Sequence, residues 1–338
     1  MATITGGAIG LSTLTGVANK TLPYITNKLH NAIYTDVKYI KTMDAFGGVE
    51  RGVTGDSVVW KVLKSKNDTF TSRYLRSAYP IRGQDTHRMA YEEFGEYSGS
   101  ISLDYVTAAK NSGSEAMIKY VKQETEELIK TAKDAINTAL LSGSGGLPAI
   151  LGISSLIPET VSSGTLHGRN LAVDTWFRPT STDSACSTTE GAGLINIKEV
   201  DKMIKDISEG QGMNPINLAV TDKTTHNNLT YYGLAVPNAR YLISNGGNVP
   251  ANGVDFKHDV DLTIGGATLI WDSNSPADSL RLFSTDNVKI LIVKDCDFKV
   301  LEAKWAEDSF SKNVPIGVVL AQVNYNPKRS GVIKNFTS

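Results

Sequence analysis

The feature that most constrains this chain is one long, uninterrupted helical period. From Ser114 to Gly143, apolar Met117, Tyr120, Val121, Leu128, Ile129, Ala132, Ile136, Ala139 and Leu140 recur at helical spacing, which predicts an amphipathic helix. Ser114 supplies an N-cap and Gly143 a stop, and Glu126 with Lys130 makes an i,i+4 pair on the wet face. At ~1.5 Å per residue the helix is about 40 Å long, more than most globular cores span. A rod of that length serves as a spine for other elements.

The texture differs on the two sides of the spine. Residues 1 to 24 are rich in Thr, Gly and small apolar side chains without a period, and read as an arm. Leu29, Ile33, Val37, Ile40 and Ala45 predict a short helix over 27–46, closed by Gly47-Gly48. Residues 56–63 (DSVVWKVL) and 97–106 (YSGSISLDYV) read as strands, with a long polar loop from Lys64 to Glu96 between them. After the spine, helices are expected over 195–209 and, capped by Asp222, over 224–231. Strands are expected over 216–220, 262–264, 267–271, 279–283, 288–293, 298–304 and 317–325, the last leading into an NPKRSG turn. The fold class is α+β.

Composition narrows the function. With 41% hydrophobic and 20% charged residues the chain is a folded protein rather than a disordered one. A net charge of −1 gives no overall attraction to nucleic acid or to an anionic membrane. The start, MATITGGAIGLSTLTG, lacks the charged and apolar parts of a signal peptide, and no run is long and apolar enough to span a bilayer. Cys186 and Cys296 stand far apart and outside any C-x-x-C context. Two free thiols in a soluble, cytosolic protein are the expectation.

Motifs for chemistry are missing. None of His30, His87, His167, His226 and His258 sits at ligand spacing to another, and there is no P-loop, G-x-S-x-G or strand-coupled G-x-G-x-x-G. No catalytic, cofactor or metal residue is therefore assigned. The stretch SGTLHGRNLAVDTWFR (163–178) does hold a His, an Asp and two Arg, but His167 with Asp174 reads as a loop pair rather than a catalytic dyad. Its glycines allow sharp turns, Trp176 and Phe177 offer an apolar anchor, and Arg169 and Arg178 are tethers to carboxylates or carbonyls.

Charge is uneven within the loop. Between Trp60 and Arg88, Lys61, Lys64, Lys66, Arg73, Arg76, Arg82 and Arg88 face only Asp68 and Asp85, a local charge of +5, with Glu92, Glu93 and Glu96 following. This basic run reads as a nucleic-acid contact, as a solvated face, or as an extended loop lying across an acidic surface of a neighbouring copy. Arm and loop together look like parts that reach toward other copies.

A long helix ending in LLSGSGGLPAI, then Gly164-Thr165 and Gly168-Arg169, then Trp176-Phe177-Arg178, resembles a signature of tailed-phage major capsid proteins. Asn214-Pro215, Arg240-Tyr241 and the strand ATLIWD (267–272) before a Ser-Pro turn follow in matching order. The resemblance implies the Hong Kong 97-type capsid fold. On that pattern residues 1–45 are an N-terminal arm and helix, and 46–105 an extended loop with Arg73 and Arg76 near its tip. Residues 106–145 with 296–338 are a peripheral domain carrying the spine helix, and 146–295 an axial domain.

The implied function is structural: self-assembly through pentamers and hexamers into the icosahedral head of a tailed phage enclosing double-stranded DNA. Lys61, Lys64, Lys66, Arg73, Arg76, Arg82, Glu92 and Glu93 then lie at subunit interfaces, and Gly164, Gly168, Arg169, Trp176, Phe177 and Arg178 shape the connection after the spine. The implied partners are a portal, a separate scaffolding protein and DNA bound without sequence specificity, with no membrane, no cofactor and no metal. The implied location is the virion capsid, assembled in the bacterial cytoplasm. The lysine–asparagine crosslink of the family's type member is not carried over to Lys64 or Lys66 with Asn324 or Asn326. An encapsulin-like compartment with the same fold, and a soluble α/β enzyme using His167, are the alternatives.

Overall fold

The computed structural model describes residue 32 and residues 37–75, 83–104, 114–183, 197–208, 216–235, 243–245, 262–301, 304–305 and 311–334. Residues 1–31 of the expected arm, Arg76, Arg82, Cys186, Asn214-Pro215 and Arg240-Tyr241 lie outside the described residues.

Within the helix expected over 27–46, Ala32 is helical and α1 (Lys38–Ala45) is formed. There follow β1 (Val49–Val53), β2 (Ser57–Leu63), β3 (His87–Glu93), β4 (Gly95–Asp104) and the spine, α2 (Ser114–Ser142). Next come α3 (Ile153–Leu156), β5 (Thr165–Leu166), β6 (Arg169–Asn170), a 3₁₀ turn (Thr175–Phe177), β7 (Thr180–Asp183), α4 (Ile197–Ser208), β8 (Leu218–Thr221) and α5 (Lys223–Ala235). The remainder is β9 (Ile243–Asn245), β10 (Leu262–Ile264), β11 (Ala267–Trp271), β12 (Ser279–Phe283), β13 (Val288–Val293), β14 (Lys299–Val300), β15 (Lys304–Trp305), β16 (Ser311–Asn324), a second 3₁₀ turn (Pro327–Arg329) and β17 (Gly331–Lys334).

Two sheets organise these elements. The six-stranded sheet is built on β16, which pairs with β4 along one edge over Ser311–Leu320 and with β13, β14 and β15 in turn along the other; β1 joins it parallel to β13. The seven-stranded sheet has the order β7-β17-β12-β8-β11-β10-β9. The chain crosses between these two sheets three times, between β4 and β7, from β12 to β13 and from β16 to β17.

Three expectations are corrected. The polar stretch from Lys64 to Glu96 is not irregular to its end, because His87–Glu93 forms a strand. The strand expected over 298–304 is instead two short pieces, β14 and β15, following residues Asp295 and Phe298 with positive φ. The last long strand begins at Ser311 rather than at Gly317, since its polar first half is drawn into the ladder with β4.

The spine helix is buried along one stripe. Ile129, Ile136, Ala139, Leu140 and Leu141 pack into the larger core with Tyr39, Ile40 and Met43 of α1, with α3, and with Ile316, Val318 and Leu320 of β16. Each fully buried aliphatic side chain contributes about 1.5–3 kcal/mol. Gln322 of β16 closes this packing: its amide oxygen accepts the Tyr39 hydroxyl, and its Nε2 donates to Leu140 O at 2.9 Å and Leu151 O at 3.3 Å. Burial pushes the Tyr39 hydroxyl above its ordinary pKa, against the Gln322 hydrogen bond. A second core lies between α4 (Val200, Met203, Ile207) and the seven-stranded sheet (Ala219, Leu269, Leu280, Leu282, Ile333). Asp222 caps α5, as its sequence position predicts: Oδ2 accepts the amides of Thr224 at 2.9 Å and Thr225 at 3.3 Å.

Candidate functional site

β2 and β3 pair antiparallel from Ser57↔Glu93 to Leu63↔His87 and carry the chain out to residues 64–86. Alternation gives this hairpin two unlike faces. Trp60, Val62 and Ala90 face the larger core. Val59, Lys61, Leu63, Met89, Tyr91 and Glu93 point the other way and are exposed. Beyond the paired strands, Phe70, Tyr74 and Leu75 are 98%, 90% and 94% exposed.

The root of the hairpin is held by the stretch 163–178. β5 and β6 form a small hairpin whose two-residue turn, His167-Gly168, has φ of 50° and 73°, the left-handed pair a type I′ turn requires. Gly168 also has no room for a side chain, since a Cβ would stand 2.2 Å from the Tyr91 ring. Gly164, at φ 96°, accepts the Leu171 amide at 2.9 Å and closes the loop.

This turn docks on the free edge of β3. The Tyr91 amide donates to His167 O at 3.3 Å, and Arg169 donates from Nε at 2.7 Å and from its terminal guanidinium nitrogen to Met89 O. Next to it, the buried His167 ring joins three elements. Its Nε2 lies 3.1 Å from the Asn324 amide and its Nδ1 2.8 Å from Glu92 Oε2. A backbone amide can only donate, so Nε2 accepts from Asn324 and Nδ1–H donates to the Glu92 carboxylate. Trp60 sets its edge against the His167 ring at 4.9 Å and against Tyr325 at 5.3 Å. Burial, and secondarily the charge of Glu50, raise the pKa of the Tyr325 hydroxyl.

The remainder of the stretch folds on itself. Arg178 donates to Leu171 O at 2.5 Å and Ala172 O at 3.1 Å. Phe177 is buried in the larger core, and Trp176 packs at its margin. The expected loop pair of His167 with Asp174 does not form: Asp174 accepts Trp176 Nε1 at 3.1 Å and lies 4.0 Å from Arg169, while His167 turns to Glu92 and Asn324. The positive φ at position 167 sends the imidazole toward β3 rather than along its own loop.

The residues singled out for subunit contact fall into different places. Lys61, Lys64, Lys66 and Arg73 are exposed along the hairpin and beyond it. Glu93 is exposed, whereas Glu92, one residue earlier, faces inward to His167. Asn324 is fully buried, with its Nδ2 on Ser330 Oγ at 3.0 Å. Sequence reading missed the His167–Glu92–Asn324 junction. The one available signal was the His-Gly pair between Thr-Leu and Arg-Asn, a type I′ hairpin pattern.

None of the described helices is long and apolar enough to cross a membrane. No family model and no curated protein matches this sequence. Solved structures do match. The capsid asymmetric unit of cyanophage A-1(L) is similar at a TM-score of 0.65 and 15% identity, covering 88% of this chain and 93% of that one. The capsid of a native GTA particle is similar at 0.56 and 10% identity, over 87% and 90% of the two chains. A holo-SrpI encapsulin complex from Synechococcus elongatus is similar at 0.53 and 10% identity, over 88% and 89%. The likeness extends over most of each chain and shows the fold: this chain has the Hong Kong 97-type capsid fold.

Proposed function

We propose that this chain is the major capsid protein of a tailed phage, a non-enzymatic subunit that assembles through pentamers and hexamers into an icosahedral shell around double-stranded DNA. The observation that carries the reading is the hairpin of β2 and β3. It is pinned at its root yet presents Val59, Leu63, Met89 and Tyr91, and beyond them Phe70, Tyr74 and Leu75, to the outside. Apolar side chains exposed in such a row mark a contact surface. On this reading they lie on an adjacent subunit, with Lys61, Lys64, Lys66 and Arg73 supplying charge that selects register.

Residues 46–105 then act as the extended loop, 106–145 with 296–338 as the peripheral domain, and 146–295 as the axial domain. A portal and a separate scaffolding protein are its partners in the bacterial cytoplasm, and its final place is the virion capsid. An enzymatic role for His167 has little support, because both ring nitrogens are engaged inside the fold. The likeness to an encapsulin favours a second reading, a shell around cargo protein.

Light scattering after size-exclusion chromatography, with negative-stain images of the heavy fraction, tests the proposal. Five- or six-membered rings or closed shells are expected, and particles from the native source should hold DNA. Particles holding protein cargo would select the encapsulin reading. A small dimer that never assembles, with or without scaffold, would end both.

A further inference from the structure

In the seven-stranded sheet, β8 lies between β11, parallel to it, and β12, antiparallel to it. The chain passes from β11 to β12 over the carboxyl end of β8, so residues 272–278 form a roof there. Beneath it β8 ends in Asp222, which caps α5 with Oδ2 alone. Asp272 stands alongside, its amide donating to Thr221 O at 3.1 Å, and Ser275 in the roof donates its amide to Asp272 O at 3.2 Å. From the spine helix, Asn137 Nδ2 donates to both Asp272 carboxylate oxygens at 3.0 Å. Strand, helix, roof and spine are thus linked through Asp272 and the end of β8.

The residues of this linkage leave several polar atoms over. Asp222 Oδ1, Thr225 Oγ1, Ser275 Oγ and Asn137 Oδ1 are buried and have no hydrogen-bond partner; they are four of the eight such side-chain atoms among the described residues. Thr225 is fully buried, and Asp222 and Ser275 are more than nine-tenths buried. A buried polar atom without a partner carries its whole desolvation cost, and native folds keep few of them. All four are oxygens, and one belongs to a carboxylate with a second carboxylate beside it. An all-oxygen set of acid, amide and hydroxyl groups suits a hard cation, calcium above the smaller, more strictly octahedral magnesium.

We propose that Asp222, Thr225, Ser275 and Asn137 seat one calcium ion per subunit, with Asp272 orienting Asn137. The ion fastens the 272–278 roof to α5 and to the spine helix.

The test uses the full-length, unassembled subunit after chelator treatment, so it does not depend on shell formation. Titration with CaCl2 should give one site by calorimetry. At a concentration a hundred times the Kd, the melting temperature should rise by about 4 °C. Asp222→Asn keeps a good helix cap and loses the charge; its calcium affinity should fall at least about tenfold. Ser275→Ala should also bind calcium about tenfold more weakly, yet in chelator it should melt at or above the wild-type temperature, because the orphan hydroxyl is gone. A wild-type subunit with no calorimetric isotherm and no thermal response to CaCl2 would overturn the proposal and leave a water-filled pocket. An equal response from Asp222→Asn would overturn it as well.

Discussion

The two ends of the β2–β3 hairpin follow opposite rules. At the root, the His167 imidazole binds the Glu92 carboxylate and the Asn324 backbone amide inside the chain, and Trp60 packs against its ring. Toward the tip, Phe70, Tyr74 and Leu75 are almost wholly exposed. The root resembles a protein interior, and the tip resembles half of an interface. A chain that spends large apolar side chains on solvent while fixing their base by hydrogen bonds has separated two tasks: direction is set within the subunit, and contact is left to something outside it.

Substitutions that break this contrast should lose their effect on the isolated subunit from root to tip. Phe177→Ala, in the core beneath the root, should cost about 3–5 kcal/mol in a denaturant melt of the unassembled subunit. His167→Ala strands the Asn324 amide and the Glu92 carboxylate and should cost about 1–3 kcal/mol. His167→Asn, which tolerates the positive φ, should recover part of that loss. If alanine and asparagine behave alike, the side-chain bonds rather than the turn carry the root. Gly168→Ala forces a Cβ into a left-handed position and toward the Tyr91 ring; about 1–2 kcal/mol is expected by the same melt. The triple change Phe70→Ser, Tyr74→Ser, Leu75→Ser should move subunit stability by less than about 0.5 kcal/mol while abolishing particles in light scattering. Normal assembly of the triple variant would erase the distinction between root and tip.

The same contrast explains what could be read from the sequence. The spine helix was plain because its apolar stripe repeats over eight turns of local chain, and Asp222 was plain as a cap because capping acts within three residues. β3 was hidden because HRMAYEE carries charge on both faces: Arg88 and Glu92 point inward, and Glu93 outward. No alternation of polarity survives that arrangement. The root junction was further out of reach, since His167 finds its partners 75 and 157 residues away. The exposed tip was legible as a basic loop, but its apolar residues became informative only once the structure showed how far Phe70, Tyr74 and Leu75 stand exposed beyond the paired strands.

One consequence follows from the strand that serves both ends of the fold. β3 runs directly into β4, whose ladder on β16 begins at Leu320, and His167 fastens the same hairpin to Asn324. The hairpin is therefore bracketed to a single strand at two points four residues apart, one through the chain and one through an imidazole. A single hinge would let it swing; two attachments on one rigid member forbid rotation about either. On the proposed capsid reading, subunits facing different local curvature would share one hairpin bearing at the root, and the adjustment between five-fold and six-fold neighbours would fall to the segment beyond residue 63.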